Sequence, residues 1–133
     1  AVADFRPSGP QEGKLKKSGR TGLELALERT PDVLSGLAAR RHGGQTLVGF
    51  AAEHGERAIG YGREKLTGKG VDAVVVNDIS RPDIGFNAED NEVTILTARD
   101  GTGEIDERHV PRAAKADVAE AILDAVERLR AGR

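Results

Sequence analysis

The sequence predicts an α/β domain with a mainly parallel sheet and an antiparallel hairpin near its carboxyl end. Three observations carry this. Thr46 to Ala52 and Val71 to Val76 are short apolar runs with turn residues on each side, the mark of strands buried on both faces. A helix-like segment lies between them, and alternation of strand and helix favours parallel neighbours joined by right-handed crossovers. Further on, Val93, Ile95 and Thr97 alternate with Thr94 and Leu96 ahead of the turn signal Arg99-Asp100-Gly101-Thr102-Gly103, which predicts a hairpin with Glu104 to Val110 as partner strand. A chain of 133 residues suits a single domain with one core, so residues 1–133 are read as one unit.

In chain order, Ala1 to Phe5 reads as a short buried strand with Asp4 at its carboxyl end. A carboxylate there suits a ribose hydroxyl as well as a turn cap. Pro7, Gly9, Pro10 and Gly13 mark an irregular segment, in which Arg6, Lys14, Lys16, Lys17 and Arg20 outnumber the acid Glu12. Such a basic loop serves a polyanion or simply solvation. Leu23, Leu25 and Leu27 alternate with Glu24, Ala26 and Glu28, the period of a half-exposed strand. Thr30 is a good helix N-cap, Pro31 suits the first helical position, and Asp32 favours the positive end of the helix dipole. Val33, Leu34, Leu37 and Ala38 follow at helical spacing until Gly43-Gly44.

Glu56 to Lys69 reads as a helix weakened by Gly60, Gly62 and Gly68 and closed by Gly70. Lys65 and Lys69 stand one turn apart on it, as a solvated pair or as a phosphate cradle. Residues 81–91 read as a loop, and Ala113 to Arg130 as the clearest helix, with Val118, Ile122, Val126 and Leu129 as its apolar stripe. In α/β sheets ligands bind beyond the carboxyl ends of strands, which singles out Asp4, Glu53, His54, Asn77 and Asp78.

Much chemistry is excluded. Without cysteine there is no disulfide, thiolate metal site or thiol nucleophile. His42, His54 and His109 are scattered without metal-ligand spacing, and a metal site is left unassigned. There is no Walker sequence, no GxGxxG and no nucleophile elbow. A net charge of -2 argues against nucleic acid as a partner. No apolar run is long enough to span a membrane.

Six strings in order carry a resemblance: AVADFRP, GKLKKSG, TPDVL, VGFAAE, REKLTGKGVDAVVVNDIS and GFNAEDNEVTIL. Together they are similar to the phosphopantothenoylcysteine synthetases (phosphopantothenate–cysteine ligases), the synthetase half of the bacterial bifunctional coenzyme A biosynthesis flavoproteins. The resemblance implies a Rossmann-like three-layer fold and a flexible basic flap over residues 6–19. It implies CTP-dependent ligation of 4'-phosphopantothenate with cysteine through an acyl-cytidylate, with Mg²⁺ accompanying CTP. A homodimer in the cytoplasm, with no membrane partner, is implied as well. FMN would belong to a decarboxylase half that this chain lacks.

By the same resemblance Lys14, first of Lys14-x-Lys16-Lys17, is the catalytic lysine near the phosphates and the carboxylate. Asp4 contacts the nucleotide. Pro31, Asp32, Val33 and Leu34 lie along it, Phe50 packs near the base, and Lys65 and Lys69 hold phosphates. Two positions depart from the family pattern: Thr30 stands where Asn is usual, and His54 where Thr is common. The chain is expected to be the carboxyl-terminal part of the ligase domain. A glycine-rich phosphate-binding turn and an Asn used in acyl-cytidylate formation would then lie upstream, and the chain alone would be catalytically incomplete. The alternative is a nucleotide-binding or dimerisation module with no activity of its own.

Overall fold

A computed structural model describes residues 3–9, 12–14, 16, 21–80, 88–99 and 102–132. Its elements in chain order are β1 (Phe5–Pro7), β2 (Leu27–Arg29), α1 (Val33–Ala39), β3 (Val48–Glu53), α2 (Ala58–Lys69), β4 (Ala73–Asp78), β5 (Asp90–Ala98), β6 (Ile105–Ala114) and α3 (Lys115–Ala131). Strands β3 to β6 form one sheet in the order β3-β4-β5-β6, and β1 and β2 form a separate two-stranded ribbon.

The valine run of β4 explains the layering. Side chains alternate across a strand. Val74 and Val76 therefore join Ala51, Leu96, Ala58 and Leu66 on one face, with Leu34, Ala38 and Ile59 packed against them from α1 and α2. Val75 joins Val93, Ile95 and Val110 on the other face, where α3 supplies Val118 and Ala125. The α/β class and its three layers are thus present, with helices on both faces of the sheet. The hairpin is present too: β5 and β6 pair antiparallel, with a register shift between Asn91 and Val93.

The sheet is more mixed than expected. Only β3 and β4 run parallel, with α2 as their crossover, whereas β4–β5 and β5–β6 are antiparallel. A parallel neighbour needs a crossover of a dozen residues or more, usually a helix. Only residues 79–89 separate β4 from β5, so β5 returns alongside in the opposite direction.

Two corrections concern the first third of the chain. Residues 1 and 2 lie outside the described residues, and β1 begins only at Phe5, the last residue of the expected Ala1 to Phe5 strand, and runs to Pro7. Rather than buried, β1 is exposed, as is its antiparallel partner β2. Leu23, Leu25 and Leu27 are 56%, 58% and 57% exposed, and only Leu27 falls within β2. A two-stranded ribbon has no second layer of its own on which to bury one face. The cap of α1 also moves: Asp32, not Thr30, accepts the Ser35 amide at 3.0 Å, and the helix stops at Ala39, short of Gly43-Gly44. Thr30 instead donates its hydroxyl to the Ala3 carbonyl, tying the end of the ribbon together.

Close packing explains one glycine of α2. A Cβ on Gly62 would fall inside contact distance of Val76 Cγ2 and Leu96 Cδ1, so glycine lets α2 lie directly on the sheet. The expected cap at Gly70 is present in the left-handed conformation, with φ 62°. At the base of the sheet, buried Asp72 accepts from Arg41 Nη1 at 3.0 Å and from the Leu47 amide at 2.7 Å, fixing the start of β3 against that of β4.

Candidate functional site

Tyr61, Lys65 and Lys69 stand four residues apart on α2 and therefore form one stripe along the helix. That stripe faces the N-terminal end of α1 and the carboxyl end of β3. Between them lies a cleft of about 570 Å³, lined by Asp32, Ser35, Glu53, Tyr61, Lys65 and Lys69 together with Glu64 and Gly68. Its position beyond the end of a parallel strand is where α/β sheets place ligands.

Each lysine of the cleft has a carboxylate partner. Lys65 Nζ donates to Glu53 Oε1 at 2.7 Å, and Lys69 Nζ lies 3.2 Å from Asp32 Oδ2. Glu53 is the more buried of the two acids, its side chain 19% exposed against 48% for Asp32. The Ser35 amide, then the Ser35 hydroxyl, then Lys69 hold the Asp32 carboxyl down, from an ordinary 3.8 to about 2. Asp32 is therefore fully ionised near neutral pH. The cleft presents fixed ammonium groups one helical turn apart, oriented rather than free in solvent. It also presents carboxylates, so a polyanion entering it is best matched when it brings a cation.

The expected site residues divide into three groups. Asp32, Lys65 and Lys69 line the cleft together. Asp4, Pro31, Val33 and Leu34 do not line it, although Pro31 and Val33 flank Asp32 in the chain. The Asp4 carbonyl accepts the Thr30 amide at 2.9 Å, which sets Asp4 next to the start of α1. Val33 is 52% exposed, whereas Leu34 points into the sheet cluster and offers a ligand only its backbone. Lys14 and Phe50 are not brought to the cleft. Lys14 is exposed on the link between β1 and β2; Gln11, Leu15 and residues 17–20 of the same segment lie outside the described residues. Phe50 is 72% exposed on the face of β3 opposite Gly49 and Ala51, away from α2.

The sequence alone singles out neither Ser35 nor Tyr61, and it marks Glu53 only as a residue following a strand. The four-residue spacing of Tyr61 to Lys65 was a usable signal. The pairing of Glu53 with Lys65 was not, because it depends on how α2 settles on the sheet. Of the other residues after strands, Asp78 accepts the Gly55 amide at 3.1 Å and the Ser80 amide at 2.9 Å, closing the turns after β3 and β4. Those amides, Ser80 first, lower its pKa. Among the described residues, buried Asn77 Oδ1 meets no hydrogen-bond partner.

Among the described residues no group of three or more His, Cys, Asp or Glu side chains is arranged to hold a metal ion. Mg²⁺ is commonly bound through one or two carboxylates, waters and substrate phosphates. Asp32 and Glu53 supply hard oxygen donors of that kind. They do not make a cage by themselves.

Comparison with known proteins places these features in context. Residues 1–129 match the model of the DNA/pantothenate metabolism flavoprotein C-terminal domain. The chain is similar to the Coenzyme A biosynthesis bifunctional protein CoaBC of Bacillus subtilis, 40% identical over 129 residues, covering 97% of this chain and 30% of that protein. It is 35% identical over 134 residues to the protein of the same name from Mycolicibacterium smegmatis, covering 95% of this chain and 31% of the relative. Its fold is similar to the solved C-terminal domain of a Coenzyme A biosynthesis bifunctional protein CoaBC, with TM-score 0.62 and 32% identity over 80% of this chain and 48% of that one. The DNA/pantothenate metabolism flavoprotein from Streptococcus pneumoniae shares the fold at TM-score 0.61 and 18% identity. The chain thus spans less than a third of the length of these two CoaBC relatives.

Proposed function

From the premise that this chain belongs to the family of the DNA/pantothenate metabolism flavoprotein C-terminal domain, we propose that it is part of a CTP-dependent phosphopantothenate–cysteine ligase acting in coenzyme A biosynthesis. The single observation that supports the reading best is the cleft between α1 and α2. There Lys65 and Lys69 stand one turn apart at the end of β3, each oriented by a carboxylate. Such a pair suits the phosphates of a nucleotide.

In the proposed reaction, a carboxylate oxygen of 4'-phosphopantothenate attacks the α-phosphorus of CTP. The bond to the β-phosphate oxygen breaks, and pyrophosphate leaves as an acyl-cytidylate forms. The amine of cysteine then attacks the acyl carbon, CMP leaves, and the amine proton passes to solvent. Lys65 and Lys69 would neutralise the phosphates and the charge that builds on the leaving pyrophosphate. Lys14 would come from the ribbon segment to the phosphates and the carboxylate, with Asp4 on the ribose. Mg²⁺, when bound, supplies further neutralisation of the phosphate charge; Asp32, the more exposed of the two acids, would hold it together with phosphate oxygens. The proposed assembly is a cytoplasmic homodimer. FMN would belong to the decarboxylase half of such a bifunctional protein.

One observation favours a second reading. Lys14 does not line the cleft, which favours a nucleotide-binding or dimerisation module with no activity of its own. Calorimetric titration with CTP, ATP and UTP in the presence of Mg²⁺ tests both readings. CTP binding that weakens at least about tenfold in Lys65→Gln and in Lys69→Gln is expected, the size of one lost charge-assisted hydrogen bond. No binding of any nucleotide in the millimolar range refutes both. With the upstream segment restored, pyrophosphate release from CTP and 4'-phosphopantothenate before cysteine is added, lost in Lys14→Gln, supports the ligase over the module.

A further inference from the structure

Lysine carries a long side chain with a large rotamer entropy, and an ammonium aimed at one place needs a partner to hold it. In this cleft the two lysines are held unequally. Lys69 pairs with Asp32, which is half exposed and already occupied by the Ser35 amide. Lys65 pairs at 2.7 Å with Glu53, whose side chain is mostly buried. The backbone of Glu53 is itself fixed: it stands opposite Asp78 in the parallel β3–β4 pair, and its carbonyl accepts the Ile79 amide at 2.8 Å. Glu53 is therefore a rigid anchor at the end of a strand, and Lys65 is the long side chain it holds on the facing helix.

We infer that Glu53 is a positioning residue that holds the Lys65 ammonium inside the cleft, aimed at the phosphates of a nucleoside triphosphate. The inference rests on the phosphate reading of the cleft given above. An ammonium has three donors, and Glu53 occupies one of them, leaving the others for phosphate oxygens. Loss of the anchor lets Lys65 swing into solvent, and each binding event must then order it again.

Charge and positioning are separable by experiment. Glu53→Gln and Glu53→Ala remove the same negative charge, but only glutamine keeps a carbonyl that accepts from Lys65. Calorimetric titration of both variants with Mg²⁺–CTP and with inorganic tripolyphosphate should show Glu53→Ala binding about tenfold more weakly than Glu53→Gln, in line with the cost of ordering one long side chain. In a Lys65→Gln background the two Glu53 variants should differ by less than about twofold, because the group being positioned is gone. Should Glu53→Ala fail to fold by circular dichroism, Glu53→Thr takes its place, since it suits a strand and is too short to reach Lys65. Equal affinity of the two variants overturns the inference, as does a difference that persists without Lys65. Binding that is lost in Lys65→Gln but equal in the two Glu53 variants overturns this inference alone. Absence of binding by the unaltered chain overturns it together with the phosphate reading.

Discussion

Asp32 serves two purposes with one side chain: it caps α1 through the Ser35 amide and pairs with Lys69 across the cleft. Both favour its ionised form, so its pKa sits near 2 rather than 3.8. A carboxyl whose folded pKa is depressed stabilises the fold fully above its unfolded pKa and loses that contribution as pH falls through the folded one. The contribution of Asp32 is thus whole above pH 3.8 and is lost toward pH 2. In acid unfolding followed by circular dichroism, Asp32→Asn should be less stable than the unaltered chain at pH 6 and should lose less between those two pH values. An equal slope in the two proteins would show that the cap does not titrate as the geometry requires. At this scale the sequence already placed an acid at the start of a helix, but it chose Thr30 as the cap. Thr30 is drawn away by the Ala3 carbonyl, a partner far along the chain that no local rule anticipates.

Helix α2 shows how one element satisfies two surfaces. Its glycines lower helix propensity, and from the sequence they read as weakness. In the fold they differ. Gly62 lies against Val76 and Leu96, whereas nothing stands within 4 Å of a Cβ built on Gly60. Gly62→Ala should therefore destabilise the domain by about 1–3 kcal/mol through overpacking. Gly60→Ala should be neutral or stabilising by up to about 1 kcal/mol. Urea denaturation measures both, and the reverse order would mean that α2 does not rest on the sheet as described. The same contact aims Tyr61, Lys65 and Lys69 at the cleft. Helical period alone predicts that these residues share a face. Which neighbours that face meets is set by the small contact at Gly62.

On the scale of the whole molecule, the body and the ribbon obey different rules. The body buries Leu66, Ile95 and Leu96 almost completely between three layers. Leu66→Ala should cost about 2–5 kcal/mol in urea denaturation, because α2 cannot collapse onto the space left behind. The ribbon and the segment leading into β2 leave Phe5, Leu23, Leu25 and Leu27 about half exposed. If the proposed homodimer forms through this ribbon, these residues are the apolar side chains it buries, in preference to the exposed Phe50 and Leu123 of the body. Sedimentation of the Leu25→Asp, Leu27→Asp double variant should then show a shift toward monomer, with the thermal midpoint of monomeric protein unchanged. A dimer that survives both changes assigns the interface elsewhere. The sequence by itself determined the α/β class, the two apolar strands with a helix between them, the hairpin, the stripe of α3 and the Gly70 cap. All of these follow from periodicity and turn chemistry within short windows. Only the tertiary structure decided that one strand pair is parallel and the others are not, that β1 and β2 stand apart from the sheet, and that Phe50 faces away from the lysines. It also decided that Glu53 and Asp32 hold Lys65 and Lys69. Each of these depends on which distant segments meet, and a local pattern carries no record of its partner.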